Sequence, residues 1–277
     1  MNRRTFLAAA LGTPVLAALA AACGDDTQQG TTYAVPENAD TVVLRVGYEG
    51  GFVPDGTAFV NLPTLLIAGD GRSFSPGVTT MQYPGPLLPA VVERRITSAG
   101  IQRVLALADD AGLLGPIPDY ALPEGNMVAD APDTVVTLTV NGATYEHRAN
   151  ALGIDSSSGG PSTPARENLQ KFVELVADLA KVAGADNLSA EQPFVASQYR
   201  FQAMVVDPAQ WTDPAPTIVD WPTTIKVLLA DARQCVTVRA VDVEELFSTA
   251  TELTFFRQDD LVFQLAVVGV LPGDATC

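Results

Sequence analysis

The chain has 277 residues, with 16 basic and 32 acidic side chains and a single histidine, for a net charge of −16. Such a surface repels phosphate backbones and anionic headgroups, which excludes nucleic acid as an expected partner. The length suits one large domain or two small ones.

The opening residues read as an export signal. "MNRRTFLAAALGTPVLAALAAACGDD" has a basic start, an apolar run over residues 6–22, then Cys23 and a polar stretch. Gly12 and Pro14 interrupt the run and small residues end it, as in a cleaved signal rather than a permanent membrane helix. Arg3 and Arg4, followed by Thr5-Phe6-Leu7, match a twin-arginine export signal. Leu19 to Cys23 match a bacterial lipobox, with the leucine one place further from the cysteine than in the commonest form. The alternative is an ordinary signal peptide that ends beside a chance cysteine. On the lipobox reading residues 1–22 are removed. Cys23 is then lipidated and anchors the chain to the extracytoplasmic face of a bacterial cell membrane. Loss of Arg3 and Arg4 leaves 14 basic against 32 acidic residues, a net charge of −18 on the 255 that remain.

Residues 23–40 are polar and lack apolar periodicity, and are expected to form a flexible tether. A β-branched strand follows at 41–49. A hairpin is expected over 65–74, turning at Gly69-Asp70-Gly71. Beyond a proline-rich passage, "YPGPLLPAVVERRI", a helix is predicted from about residue 97, with Ile101, Val104, Leu105, Leu107 and Ala108 as its apolar stripe. "DTVVTLTVNGATYEHRAN" alternates apolar and polar residues around Asn141-Gly142, the favoured two-residue hairpin turn. Thr163 as N-cap and Pro164 at the first helical position open a helix to residue 183, closed by Gly184. Strands are expected over 194–207, 223–230 and 235–240, with an irregular connection between the first two. Asp242 and Glu245 form a capping-box pattern for a short helix, and a final hairpin turns at residues 258–260.

These elements predict an α+β fold with antiparallel sheets and about three packed helices. A helix–strand–turn–strand unit recurs at 97–150 and 242–271, so two related halves are expected, 41–160 and 161–277, with one continuous domain as the alternative.

Of the three cysteines, Cys23 is assigned to the lipid. In an oxidising compartment Cys235 and Cys277 are left to form one disulfide. They lack the C-x-x-C spacing of a metal or redox site.

The segments "YEGGFVP", "AGDGRSF", "YPGPLLP", "ITSAGIQRVLALADDAGLL", "ADAPDTVVTLTVNG" and "VLPGDATC" resemble those of an uncharacterised family of secreted actinobacterial lipoproteins. The resemblance threads through residues 45–277. It implies an envelope location and kinship of fold, and it implies no activity.

Few residues suit catalysis. His147 is the only histidine, and neither a G-x-S-x-G nor another nucleophile context accompanies it, so it is expected to be an ordinary surface or half-buried strand residue. One histidine with two paired cysteines does not make a zinc site, and no calcium loop is present, so no metal and no cofactor are expected. The glycines of "GYEGGFVPDG" and "GDG" are followed by strands rather than a long helix, so they read as bends and turns, not a phosphate cradle. Asp109-Asp110, Glu244-Glu245 and Asp259-Asp260 are adjacent carboxylates, and adjacent side chains diverge. Trp211 and Trp221 are expected to plug a loop onto the core. The resulting expectation is a lipid-anchored, non-enzymatic envelope protein that binds a protein, peptide or glycan or has a structural role. A carboxylate-based hydrolase acting on envelope polysaccharide is the alternative.

Overall fold

The computed structural model describes residues 31–54, 56–122, 128–154 and 162–277, and the statements below concern those residues. Arg3, Arg4, Cys23 and the serine-rich loop 155–160 lie outside them.

The β-branched run after residue 41 forms β1 (Val42–Glu49), an interior strand of the first sheet. The glycine-rich turn joins β2 (Leu65–Ala68) to β3 (Arg72–Pro76), and β4 (Val91–Arg95) follows. Then come α1 (Ser98–Asp110), capped by Thr97, and the hairpin β5 (Asp133–Val140) and β6 (Ala143–Asn150). Asn141 and Gly142 both take positive φ in its turn, as the primed hairpin turn requires. With β7 (Gln192–Pro193) these strands form a seven-stranded antiparallel sheet in the order β6-β5-β1-β2-β3-β4-β7.

The helix expected over 165–183 is two helices, α2 (Pro164–Val176) and α3 (Leu179–Ala183). Asp178 makes the break, because its side chain accepts from the Lys181 amide and so caps a new helix. Thr163 caps α2 and Pro164 opens it, as the sequence indicates. The stripe of α1 (Ile101, Val104, Leu105) and that of α2 (Leu169, Phe172, Val176) cover Leu44, Val46, Ile67, Val136 and Leu138 on one face of the first sheet.

The packing crosses the 160/161 boundary between the two expected halves. Seven strands at about 4.8 Å spacing span roughly 34 Å, and one helix about 10 Å across leaves most of that face wet. The helices after residue 161 therefore close the first core, and β7 extends the first sheet. Residues 33–40, expected to belong to the flexible tether, are docked on the fold. Tyr33 is buried in the first core, and Ala34 N donates to Asn141 Oδ1 at 2.8 Å.

The second sheet contains β8 (Gln198–Val205), β9 (Thr217–Asp220), β10 (Val236–Arg239), β11 (Thr254–Gln258) and β12 (Leu261–Gly269), in the order β10-β8-β12-β11-β9. All its pairs are antiparallel except β9 with β11. α4 (Ala240–Thr249) packs Val243 and Phe247 against Phe201, Phe263 and Val267. Asp242 lies inside the first turn of α4, where it pairs with Arg239 instead of capping. The strand expected over 223–230 is irregular chain, and Gln258 Oε1 accepts from the Leu229 amide at 2.6 Å. β9 lies within the stretch expected to be irregular.

Both halves carry a helix followed by a hairpin, but the wiring differs. In the first sheet β5, the earlier hairpin strand, joins the interior; in the second it is β12, the later one. Behind the first sheet, Leu66, Ala68 and Phe74 meet Leu62, Phe194 and Leu271. Arg45 on β1 and Arg200 on β8 both reach Asp274, which ties one sheet to the other. Residues 32–277 thus form one compact unit.

Candidate functional site

The antiparallel order sorts the connections of the first sheet to its two ends. Glu49 pairs with Asp133, and Pro76 with Val91, so the β1–β2 connection (50–64) and the β3–β4 connection (77–90) leave the same end. The β2–β3 turn, the β5–β6 turn and the docked segment 33–38 occupy the other end. There Asn141 N donates to Ala34 O, and a Cβ on Gly69 would lie 2.5 Å from Pro36 O. Only glycine permits that close approach.

The long-connection end is apolar and uncovered. Phe52 (87% exposed), Val78 (95%), Met81 and Tyr83 (63%) stand on the two connections, and Val195 (74%) follows β7 at the same end. Single exposed apolar residues are ordinary on a surface, whereas several gathered at one end mark an interaction site.

Two grooves of about 360 Å³ each flank this end. The first is lined by Gly77, Val78, Leu88, Pro89, Phe194 and Tyr199. The second is lined by Thr57, Thr79, Pro86, Met204, Glu252 and Gln264. The wall between them is the proline-rich strap of "YPGPLLPA", since Pro89 and Ala90 line both grooves. Prolines fix φ and donate no hydrogen bond, so the strap is held by the few amides it retains. Gly85 N donates to Glu252 Oε1 at 2.9 Å, Leu87 N donates to Ala250 O at 3.0 Å, and Leu87 is buried in the second core.

His147 is fully buried, which corrects the expected surface or half-buried placement. Its Nε2 is 2.9 Å from Leu113 O, so Nε2 carries the hydrogen, and Nδ1 accepts from the Tyr120 hydroxyl at 2.7 Å. Burial lowers its pKa below the usual value, and burial raises that of Tyr120 to about 12. Arg166, equally buried, donates to the Tyr120 carbonyl at 2.7 Å and the Asn150 carbonyl at 2.9 Å. These contacts fasten residues 113–120 and α2 to the hairpin. Strand periodicity gives no warning of this, because the loop that covers His147 comes from elsewhere in the sequence.

The other sequence candidates are dispersed. Cys235 and Cys277 are joined in a disulfide. Asp109-Asp110, Glu244-Glu245 and Asp259-Asp260 are all exposed on helix or turn surfaces, and Asp109 Oδ2 accepts from the Tyr33 hydroxyl at 2.8 Å. Two carboxylates do share a cleft, Glu49 and Glu146, and both contact the Arg148 guanidinium, at 2.7 and 3.5 Å. A glycosidic acid needs the opposite environment, one that favours its protonated form. Among the described residues no group of three His, Cys, Asp or Glu side chains is placed to hold a metal, and no helix is long and apolar enough to cross a membrane. Gly50 and Gly51 take positive φ in the bend after β1, where no helix follows. Trp221 is buried, with Nε1 donating to Val227 O at 3.1 Å, and Trp211 meets Phe255 edge-on. Both plug loops onto the second sheet.

The apolar end escaped the sequence reading because Val78, Met81 and Tyr83 fall in a proline-rich segment without periodicity. The usable signal was large apolar side chains where no element could bury them. Comparison with protein-family models, with curated proteins and with solved structures finds no match.

Proposed function

We propose that the protein is a lipid-anchored extracytoplasmic binding protein, exported with a signal containing Arg3 and Arg4 and held to the membrane through Cys23. Its partner-binding surface is the apolar end that carries Phe52, Val78, Met81 and Tyr83. The observation that carries this reading is polarity along the first sheet. The chain enters at the short-turn end through Tyr33, and the uncovered apolar side chains stand at the opposite end.

Tyr33 lies ten positions after Cys23, and a flexible chain of that length has a mean span of roughly 17 Å. The eight-residue strands are roughly 26 Å long. An anchored molecule therefore keeps its short-turn end at the membrane and presents the apolar end outward. An extended groove lined by Val78, Pro89 and Phe194 suits an apolar or proline-containing segment of an envelope protein better than a glycan, which would need more polar lining. The carboxylate hydrolase has less support, because its two cleft carboxylates share a guanidinium.

The test is affinity capture from envelope fractions with the full-length lipoprotein and with a Met81→Asp/Tyr83→Asp variant. A specific protein retained by the first and lost by the second supports the reading. Identical capture by both refutes it.

A further inference from the structure

A polar cleft lies between the sheets, where β1 runs into the β1–β2 connection. It encloses about 240 Å³ and is lined by Arg45, Gly47 and Glu49 from β1, Thr137 and Glu146 from β5 and β6, and Arg200 from β8. That volume corresponds to about eight waters at roughly 30 Å³ each.

Arg200 is the informative residue. Its side chain is only 20% exposed, and its Nη2 stands 3.8 Å from Asp274 Oδ2, beyond hydrogen-bond reach. The guanidinium lies over the Phe59 ring at 5.3 Å. Its Nε is the one buried side-chain nitrogen or oxygen among the described residues that finds no hydrogen-bond partner. A guanidinium offers five donors in a planar fork that matches a carboxylate, and a buried donor left unmade is costly. Asp274 does not reach that Nε: its Oδ1 receives Arg45 Nη1 at 3.0 Å and its Oδ2 receives the Leu271 amide at 3.1 Å.

The charges of the cleft are separated. Arg45 and Arg200 against Asp274 leave one net positive charge at one end. Glu49, Glu146 and Asp133 around Arg148 leave two net negative charges at the other. Arg45 and Glu49 are four residues apart on one face of β1, roughly 13 Å between their Cα atoms. Between them Gly47 leaves the floor open; a Cβ there would meet only Pro63, at 3.6 Å.

We propose that this cleft binds a small elongated zwitterion, with its carboxylate on the Arg200–Arg45 end and its ammonium on the Glu49–Glu146 end. Such a ligand lies against the accessible part of the Arg200 side chain, matches the sign of charge at both ends and lays a short chain over Gly47. A ligand with one charge leaves the opposite end unmatched. The site is independent of the apolar end and stands whether or not that end has a partner.

The test uses three probes, 6-aminohexanoate, hexanoate and hexylamine, titrated into the intact protein. Calorimetry gives affinity, and the Arg200 Nε–H resonance reports occupancy. 6-Aminohexanoate is expected to bind at least tenfold more tightly than either singly charged probe and to shift that resonance. Arg200→Met is expected to weaken 6-aminohexanoate and hexanoate alike by about tenfold or more. The exposed Glu146→Gln should weaken 6-aminohexanoate and leave hexanoate unchanged, and it guards against misfolding as the cause. Equal affinity for hexanoate and 6-aminohexanoate would overturn the zwitterion assignment. An unmoved Arg200 resonance with all three probes would overturn the site.

Discussion

The Tyr33 hydroxyl donates to Asp109 Oδ2 at 2.8 Å, bridging 76 residues of sequence. With Gln102 Oε1 accepting from Tyr33 N at 2.8 Å, it fixes the incoming chain to the outer turn of α1. Burial, together with Asp109, pushes the Tyr33 pKa up to about 12. The chain therefore enters the fold at a defined place. Removing the hydroxyl in Tyr33→Phe should cost about 1 kcal/mol. Tyr33→Ala, which also empties a core position, should cost about 3–5 kcal/mol. Urea denaturation followed by tryptophan fluorescence reads both values; equal losses would mean that the ring contributes no packing.

His147 makes stability depend on pH. Its folded pKa lies below the ordinary 6.5 because of burial, so the unfolded chain takes up a proton before the folded chain does. The contribution is fully present above about pH 6.5 and is lost as pH falls from there toward the folded pKa. The slope approaches about 1.4 kcal/mol per pH unit. Thermal unfolding between pH 7.5 and 5 should show a steeper loss for the wild type than for His147→Gln. Parallel curves would remove His147 as the cause.

The disulfide between Cys235 and Cys277 closes a loop with a sequence separation of 42. Chain entropy predicts a stabilisation of about 4 kcal/mol for a loop of that size. It also holds the segment that carries Asp274, the residue joining the two sheets. Cys235→Ser/Cys277→Ser should lower the urea midpoint accordingly, and added reductant should have no effect on that variant. An unchanged midpoint would show that the segment is held by other contacts.

Much of the local structure was legible in sequence, because its determinants are local. Asn141-Gly142 specified a hairpin through the φ it tolerates, and Thr163-Pro164 specified a helix start. What stayed hidden depends on distant partners. β9 pairs with β11 across 37 residues from Thr217 to Thr254, and its proline-rich flanks hid it. The run 223–230 looked like a strand, yet it is held by Gln258 and packed under Trp221. The placement of α2 over the first sheet followed from the width of that sheet, which no segment announces. The candidate surfaces were less legible still. Arg45 and Arg200 are separated by 155 positions and meet only because Asp274 joins the sheets.

The proposed attachment through Cys23 gives a direct fractionation test. Cys23→Ala should move the protein from the membrane to the soluble fraction, because among the described residues no helix is long and apolar enough to cross a membrane. Retention in the membrane fraction would reject lipidation as the anchor.

The central claim, that the apolar end meets a partner while the short-turn end faces the membrane, is tested most directly by site-specific photocrosslinking in intact cells. A crosslinker at Met81 is predicted to trap a discrete envelope protein, and one at Asn141, at the opposite end of the same sheet, is predicted not to trap it. Trapping of that protein from Asn141 and not from Met81, or from neither position, would contradict the account.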